Sequence, residues 1–440
     1  MNESAREASS PMIMDQEPSA QQPAGALPPA LWEFVRLADY RLPNSVGASA
    51  ALEKWTSFKR LFRYGDEEEQ APVKAEAELR MLSDSRLQAL VQPIDWHCAA
   101  AALDLALADW LHTSKPDRPV RFVVGQPHCG HPEILAHWAA RHRLHRVAAP
   151  SVEQILGGDE RWREDWPSGD RPWVLPNLEH CYLRHADGLG LVRRLLAQAV
   201  SGALGRGVIG CDSWAWVYLQ EVWPLPQPDA LTLQAFDGAR LSRYLGNRVS
   251  REKGGCLRFC NAVTGKEIQL ACGPDDSKVS PEVNQLAVHS RGNIGVAWTA
   301  WRALLRSLPE QERPAEPKPE SKKHEQSDEA ERAAQGAQAD DDFAAETVWV
   351  SASLQEPPLP AEKGEGMAFI LHALLLHNGL PVSVLPELLP QPEHRIASHL
   401  LQLQALGVVD LAGGRWQISA SAYSVVREFL RRRGFLRDEF

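Results

Sequence analysis

The middle third of the chain alternates short apolar runs with amphipathic segments, and this alternation constrains the fold more than any other feature. The apolar runs lie at residues 120–124, 146–149, 173–178, 207–211 and 230–236. The segments between them are long enough for the crossovers that parallel strands require. The pattern therefore predicts an α/β fold in which helices cover both faces of a mostly parallel sheet.

The first of these runs leads into a loop bounded by Gly125 and Gly130, and then into a helix predicted over residues 132–142. This spacing is that of a phosphate-binding loop, whose backbone N–H groups and helix N-terminus hold phosphates. Where such a loop carries Lys and then Ser or Thr, this chain has His131 and Pro132. An imidazole is mostly neutral at pH 7, and proline has neither a hydroxyl nor an N–H. The loop is thus expected to keep the backbone of a phosphate cradle and to lack its Mg²⁺ ligand; an ordinary strand-loop-helix turn is the alternative.

Two later strands end in polar residues that concern the same chemistry. The run at 173–178 leads to Glu179, and Asn177 stands where an acid that holds Mg²⁺ through water is expected. Asparagine is neutral and is a poor substitute for that carboxylate. The run at 207–211 ends at Asp212. Glu179 and Asp212 are the candidate catalytic residues; the alternatives are a solvated carboxylate at a strand end and a helix cap, respectively.

A further motif, Ser-Arg-Gly-Asn-Ile-Gly-Val-Ala at residues 290–297, begins a helix. Together with the loop and the two polar strand ends, it resembles the AAA+ ATPases, in particular bacterial members with a C-terminal winged helix and the STAND NTPases. The resemblance covers residues 90–308 and implies a P-loop NTPase core with a helical lid, with ATP as the ligand. It also implies that Arg291 is the lid's nucleotide-sensing arginine, for which a surface charge is the alternative. The departures at His131, Pro132 and Asn177 predict degenerate Walker motifs and argue against Mg²⁺ binding.

The composition divides the chain into six regions. We expect a disordered leader at 1–28, a helical region at 29–90, the α/β core at 91–236, the helical lid at 237–308, an acidic disordered linker at 309–362 and a winged-helix domain at 363–440. In the helical region, Leu31, Phe34, Val35 and Leu37 share one helical face. Residues 309–346 hold 12 acidic and 5 basic side chains, and such a polar segment cannot repay the entropy of ordering.

The last region reads as three helices, a hairpin turning at Gly413 and Gly414, and a closing helix, which together predict a winged helix-turn-helix. A DNA-reading version needs cations on its third helix and wing. Here the helix offers His394, Arg395 and His399, and the wing offers Arg415. From residue 365 onward, seven arginines are balanced by seven acidic residues. This balance favours docking of a protein over binding of DNA.

The whole chain carries a formal net charge of −10, which gives no global basic signature for nucleic acid. Its seven cysteines form no framework, so we expect a reducing cytoplasm and no metal site. No apolar run reaches the length of about 18 residues that a membrane span needs. No pattern typical of a signal peptide stands at the N-terminus.

Three functions remain open on these grounds. The first is a regulatory or scaffolding ATPase-like protein with a degenerate nucleotide site, which docks a protein partner through its winged helix. The second is an active ATPase in which His131 replaces the lysine and Glu179 activates water. The third is a DNA-associated winged-helix factor. Assembly into a homo-oligomer is compatible with the first two.

Overall fold

A computed structural model of the protein describes residues 30–43, 74, 78–164, 166–167, 171–226, 228–248, 257–271, 279–308, 346–360 and 365–440. Every helix and strand described below belongs to one compact unit, Leu31–Phe440. The leader predicted at 1–28, much of the helical region predicted at 29–90, and residues 309–345 of the linker lie outside the described residues.

The bounds of the elements follow the chain order. The strands are β1 Phe34–Arg36, β2 Arg80–Met81, β3 Val120–Gly125, β4 His145–Arg146, β5 Trp173–Leu175, β6 Gly207–Asp212, β7 Ala230–Leu233, β8 Leu257–Asn261, β9 Leu305–Ser307, β10 Glu346–Val350, β11 Val409–Ala412 and β12 Arg415–Ile418. The α-helices are α1 Asp84–Leu90, α2 Trp96–His112, α3 His131–Arg141, α4 Val152–Gly157, α5 Gly190–Ser201, α6 Ser213–Val222, α7 Gly238–Arg248, α8 Pro281–His289, α9 Ile294–Leu304, α10 Gly366–Leu376, α11 Leu385–Leu388, α12 Glu393–Ala405 and α13 Tyr423–Arg432.

The central sheet has six strands in the order β1-β7-β3-β6-β5-β4. Neighbouring strands from β7 to β4 are parallel, and β1 joins the edge of β7 antiparallel. The predicted mixed α/β fold with a largely parallel sheet is confirmed. All five apolar runs predicted as strands contribute to this sheet, because a strand covered on both faces reads as a continuous apolar run.

The side chains of the sheet alternate between two hydrophobic clusters. Val123, Val174 and Val208 pack with α2 and α3 on one face. Residues such as Phe122 and Ile209 pack with α5 and α6 on the other face. This alternation follows from the two-residue period of a strand. The helices that follow β3 and β6 therefore lie on opposite faces of the sheet.

A second sheet, in the order β2-β9-β10-β8, packs with α7, α8 and α9 around buried residues that include Phe259, Trp301 and Val348. This arrangement corrects two expectations. The lid region at 237–308 is not purely helical, since it contains β8 and β9. The linker predicted at 309–362 includes residues 346–350, but these residues form β10, because Val348 and Val350 bury their side chains against this core.

The N-terminal region holds a third correction. The sequence pattern predicts a helix at residues 34–36, but these residues form β1, which pairs with Leu231–Leu233 of β7. Phe34 and Val35 favour a half-buried strand, and the free edge of β7 supplies the hydrogen-bonding partner. A face of four apolar residues in so short a segment does not distinguish a helix from a strand.

The C-terminal residues form three helices (α10 to α12), the hairpin β11-β12 and the closing helix α13, in the predicted order. Their apolar side chains belong to the same hydrophobic cluster as the sheet face under α5 and α6. This part of the chain is therefore packed against the α/β core. Among the described residues, no helix is long and apolar enough to cross a membrane.

Candidate functional site

The candidate site lies where the strand order of the central sheet reverses. From β3 the chain crosses to the far edge at β4, and from β6 it crosses past β3 to β7 on the other side. In open α/β sheets, the crevice at the carboxyl ends of the strands beside such a switch point is the usual ligand site. Gly125 and Asp212 pair at the ends of β3 and β6, and Glu179 follows the end of β5. The topology thus gathers the loop, Glu179 and Asp212 at one edge.

The loop between β3 and α3 is tightly folded onto its neighbours. Gly130 has a φ of 78°, and a Cβ there would overlap the ring of Trp96. A Cβ on Gly125 would overlap Sγ of Cys129. His128 also has a positive φ, 67°, which is unfavourable for a residue other than glycine. Both predicted glycines are therefore required by close packing within the protein.

His131 is the first residue of α3, and its imidazole turns into the end of the sheet. Its Nε2 lies 3.6 Å from Oε1 of Glu179, which is an electrostatic contact beyond hydrogen-bonding distance. The His131 side chain is 3% exposed and that of Glu179 is 0% exposed. The side chain of His131 is thus committed to an internal partner.

Glu179 is held by further donors. Its Oε1 accepts a hydrogen bond from Nδ2 of Asn177 at 2.9 Å, and its Oε2 accepts one from the backbone N–H of Asp212 at 3.0 Å. Burial raises the pKa of Glu179, but attraction to His131 and the hydrogen bond from Asn177 lower it to about 2. Burial lowers the pKa of His131, whereas its interactions with Cys129 and Glu179 raise it well above the usual value. Both shifts favour the ionised form of the pair.

Asp212 has a structural role in this arrangement. Its Oδ1 accepts a hydrogen bond from the backbone N–H of Trp214 at 2.9 Å and so caps α6. Its Oδ2 is buried and has no hydrogen-bond partner in the described part of the chain. Burial, and then the negative charge of Glu179, raise the pKa of Asp212 well above its usual value. The neutral form of Asp212 is favoured beside the ionised Glu179.

These charge states limit the chemistry of the site. A general base works best when its pKa lies near the operating pH, and both carboxylate oxygens of Glu179 already accept hydrogen bonds. Asp212 keeps one unpartnered oxygen, but it is buried. In the described residues, no group of three or more His, Cys, Asp or Glu side chains is placed to hold a metal ion. The set of donors does not fit the octahedral oxygen cage that Mg²⁺ demands.

The start of α9 closes the outer side of the loop. Nδ2 of Asn293 donates to the carbonyl oxygen of Pro127 at 2.7 Å and to Oε1 of Gln126 at 3.2 Å. Nε2 of Gln126 donates to the hydroxyl of Tyr40 at 3.1 Å, and the rings of Tyr40 and Phe440 lie 4.7 Å apart. The cavity that these residues share has a volume of about 10 Å³, room for about one water molecule. A nucleotide does not fit beside the loop in this arrangement.

Seven of the eight predicted site residues lie together at this edge of the sheet. They are Gly125, Gly130, His131, Pro132, Asn177, Glu179 and Asp212. The eighth, Arg291, is placed differently: it has a φ of 53°, and its Nε donates to the carbonyl oxygen of Phe440 at 2.7 Å. Arg291 therefore contacts the C-terminal segment.

The sequence reasoning missed a polar network that joins the C-terminal residues to α6. Asp438, which is 1% exposed, accepts from Oγ of Ser213 at 2.5 Å and forms an ion pair with Arg427 at 2.9 Å. Nε1 of Trp214 donates to the hydroxyl of Tyr423 at 3.1 Å. The available signal was that Arg427 lies within the apolar stretch of α13, where a buried arginine requires an acidic partner. No local sequence pattern identifies Asp438 as that acidic partner.

Comparison with protein-family models gives no match, and the curated proteins give none either. Among solved structures, one that matches is the Aeropyrum pernix ORC2 protein in its ADPNP-ADP complexes. The two chains are 12% identical, the alignment covers 85% of this chain and 98% of that one, and the TM-score is 0.26. A TM-score this low establishes neither a shared fold nor a shared function.

Proposed function

We propose that this protein is a regulatory scaffold built on an AAA+-like core whose nucleotide site is degenerate, and that it acts through a C-terminal winged-helix module docked on that core. The observation that carries the proposal is the buried contact between His131 and Glu179. The residue at the lysine position and the candidate catalytic acid neutralise each other, so neither is available to a phosphate or to water.

The closed loop supports the same proposal. Asn293 holds the loop backbone from outside, Trp96 covers Gly130, and the cavity left beside Gln126 has about the volume of one water molecule. Binding of ATP would require these contacts to break. The free energy of breaking them would be subtracted from any affinity for nucleotide.

The docked module supplies the regulatory element of the proposal. The hydroxyl of Tyr182 in the core donates to the carbonyl oxygen of Leu376 at 2.8 Å, and Ser213 and Trp214 bond to the C-terminal residues as described. A buried ion pair fixes a geometry more than it adds stability. A module held by such a network has a defined docked state, and release from that state is the event that a partner would drive.

The exposed face of the module favours a protein partner over DNA. Leu401 of α12 and Leu411 of β11 are 61% and 53% exposed. The single cation of the wing, Arg415, donates from Nε and Nη2 to the carbonyl oxygen of Gly379 at 3.2 and 2.6 Å. Because that guanidinium is tied to the body of the module, it cannot reach a phosphate backbone while these bonds persist.

Calorimetric titration of the full chain with ATP, with and without Mg²⁺, tests the proposal. We expect no saturable heat in either titration. The double substitution His131→Lys and Pro132→Thr should also bind no ATP, because Asn293 and Phe440 still close the loop. Saturable ATP binding by the unaltered chain, or steady hydrolysis that Glu179→Gln abolishes, would overturn the proposal and favour the active ATPase.

A further inference from the structure

A second cavity, separate from the loop, lies between the core and the C-terminal module. Its volume is about 200 Å³. Its walls come from residues 149–155 after β4, from residues 179–183 after β5, and from residues 377–381 together with Arg415. None of the three segments encloses it alone, so the cavity exists only while the module is docked.

The cavity wall contains a positive charge without an acidic partner. Arg415 is partly buried, and in the described part of the chain no carboxylate lies within ion-pair distance of its guanidinium. Burial lowers the pKa of Arg415, and Glu179 only partly offsets this effect. An arginine remains protonated under these conditions. Since a partly buried, unpaired charge is costly, an anion in the cavity would stabilise it.

Glu179 also lines the cavity, but its charge is already compensated. Its two carboxylate oxygens accept from Asn177 and from the backbone of Asp212, and its ionised partner is His131. With His131 and Glu179 cancelling, Arg415 leaves the surroundings of the cavity with a net positive charge.

A second polar group in the wall lacks a partner. Nε2 of His180 is shielded from solvent and has no hydrogen-bond partner in the described residues. The neighbouring His377 differs, because its Nε2 accepts from the backbone N–H of Arg184 at 3.4 Å and its Nδ1 lies 3.5 Å from the carbonyl oxygen of Glu179. His180 therefore retains an unused ring nitrogen, which donates a hydrogen bond in the neutral tautomer that carries the proton on Nε2. Burial lowers the pKa of His180, and this donor does not require the charged form.

The size of the cavity narrows the class of ligand. Its volume is about 200 Å³. Pockets for drug-sized ligands are larger, at about 300–1,000 Å³. Val152, Ile155 and Leu380 add an apolar wall beside the polar groups. A phosphate ion or a short carboxylic acid fits this space, whereas a nucleotide exceeds it.

We propose that this cavity binds a small oxyanion, carrying a phosphate or a carboxylate group, between Arg415 and His180. The bound anion touches both the core and the C-terminal module, so occupancy stabilises the docked state by mass action. This inference rests on the pairing of His131 with Glu179 in the proposed function, but the side chains that would hold the anion, Arg415 and His180, are not residues of the loop at Gly125–Gly130.

Calorimetry on the full chain tests the proposal, with inorganic phosphate and acetate as separate probes at constant ionic strength. One of the two anions should bind saturably at one site per chain, and the probe that binds identifies the group. Arg415→Gln should weaken that binding at least tenfold. The matched control is Arg395→Gln, which removes one positive charge from the exposed face of α12 and should leave binding unchanged.

Because Arg415 also bonds to Gly379, a second variant is needed in case Arg415→Gln misfolds. Val152→Phe extends a side chain into the cavity without changing any charge, and it should abolish binding while circular dichroism shows an unchanged fold. Three results would overturn the proposal. They are the absence of saturable binding by either anion, equal weakening by Arg395→Gln, and binding that survives Val152→Phe.

Discussion

The imidazole of His131 lies 3.6 Å from the carboxylate of Glu179, and both side chains are shut off from solvent at the end of the central sheet. This contact joins the first turn of α3 to the segment after β5. The sequence pattern predicted these two residues as part of a nucleotide site. Their burial and pairing give both side chains a structural role in the fold.

The first prediction concerns the stability that this pair supports. Glu179→Ala should lower the free energy of unfolding by about 3 kcal/mol, because it leaves a buried imidazole without its partner and Asp212 N–H without its acceptor. The measurement is urea unfolding followed by circular dichroism. Glu428→Ala is the control, since Glu428 pairs with Arg431 and Arg432 at the surface and should cost less than about 1 kcal/mol. Equal losses in the two variants would contradict the structural role of the pair.

A second prediction concerns stability at acid pH. Burial is the largest cause of a lowered pKa in four imidazoles. It lowers the pKa of His128, His289 and His372 to about 4 and that of His377 to about 3. In the unfolded chain these groups titrate near about 6.5. Since each folded-state pKa lies below the unfolded one, the contribution of these imidazoles to the free energy of unfolding is complete above about pH 6.5. This contribution is lost as the pH falls toward about 4.

The measurement is the free energy of unfolding between pH 7 and 4. Each of these histidines should contribute a slope of about 1.4 kcal/mol per pH unit in that window. His377→Gln should reduce the total slope by about that amount, whereas His394→Gln on the exposed face of α12 should not change it. His131 has a raised pKa, so its contribution is lost at high pH and does not enter this window. A slope unchanged by His377→Gln would refute the lowered pKa of His377 in the folded protein.

The third prediction separates backbone strain from packing at the loop. Gly130 and Gly414 have φ values of 78° and 77°, but a Cβ meets the Trp96 ring at Gly130 and open space at Gly414. Gly414→Ala should cost only the left-handed backbone penalty of about 1 kcal/mol. Gly130→Ala should cost about 1–3 kcal/mol more because of overpacking. Thermal unfolding of both variants gives the difference.

A double-mutant cycle then identifies the contact. The combination of Trp96→Ala with Gly130→Ala should recover the extra loss at Gly130, because the ring that the new methyl group meets is gone. If the two losses simply add, the Trp96 ring does not lie over the loop as described.

The fourth prediction concerns docking of the C-terminal module. Asp438→Ala removes the partner of the buried Arg427 and the acceptor of Ser213, and it should cost about 3–5 kcal/mol. We expect hydrogen exchange to accelerate in α13 and in the first turn of α6 while α2 and α3 stay protected. Asp410→Ala, at an exposed residue of the hairpin β11-β12, should leave exchange unchanged. Uniform acceleration over the whole chain would show global unfolding instead of undocking.

The features of the fold that depend on local sequence patterns were predictable. The continuous apolar runs identified the five parallel strands, since a strand buried on both faces needs no polar side chain. The Ser-x-x-Gln spacing of Ser151 and Gln154 is typical of a capping box, and both of its hydrogen bonds are present. The three C-terminal helices, the hairpin at Gly413 and Gly414, and the closing helix followed from periodicity and turn residues.

Features that depend on a distant partner were not predictable. Phe34–Arg36 became a strand because β7 offers an unpaired edge, and Glu346–Val350 became one because β8 and β9 flank it. Neither segment has a sequence that clearly favours a strand over the helix or the linker that was predicted for it. Burial of Val348 and Val350 outweighs the polar composition of the residues before them.

In the candidate site, too, some features follow from local sequence and others depend on distant partners. The sequence by itself determined which side chains stand at the loop and at the strand ends, among them His131, Pro132 and Asn177. Only the tertiary structure decided that His131 is paired with Glu179, that Asn293 and Phe440 close the loop, and that Asp438 ties the C-terminal residues to Ser213. The physical reason is that these contacts join residues far apart in the chain, and their energies arise from burial that no local pattern records.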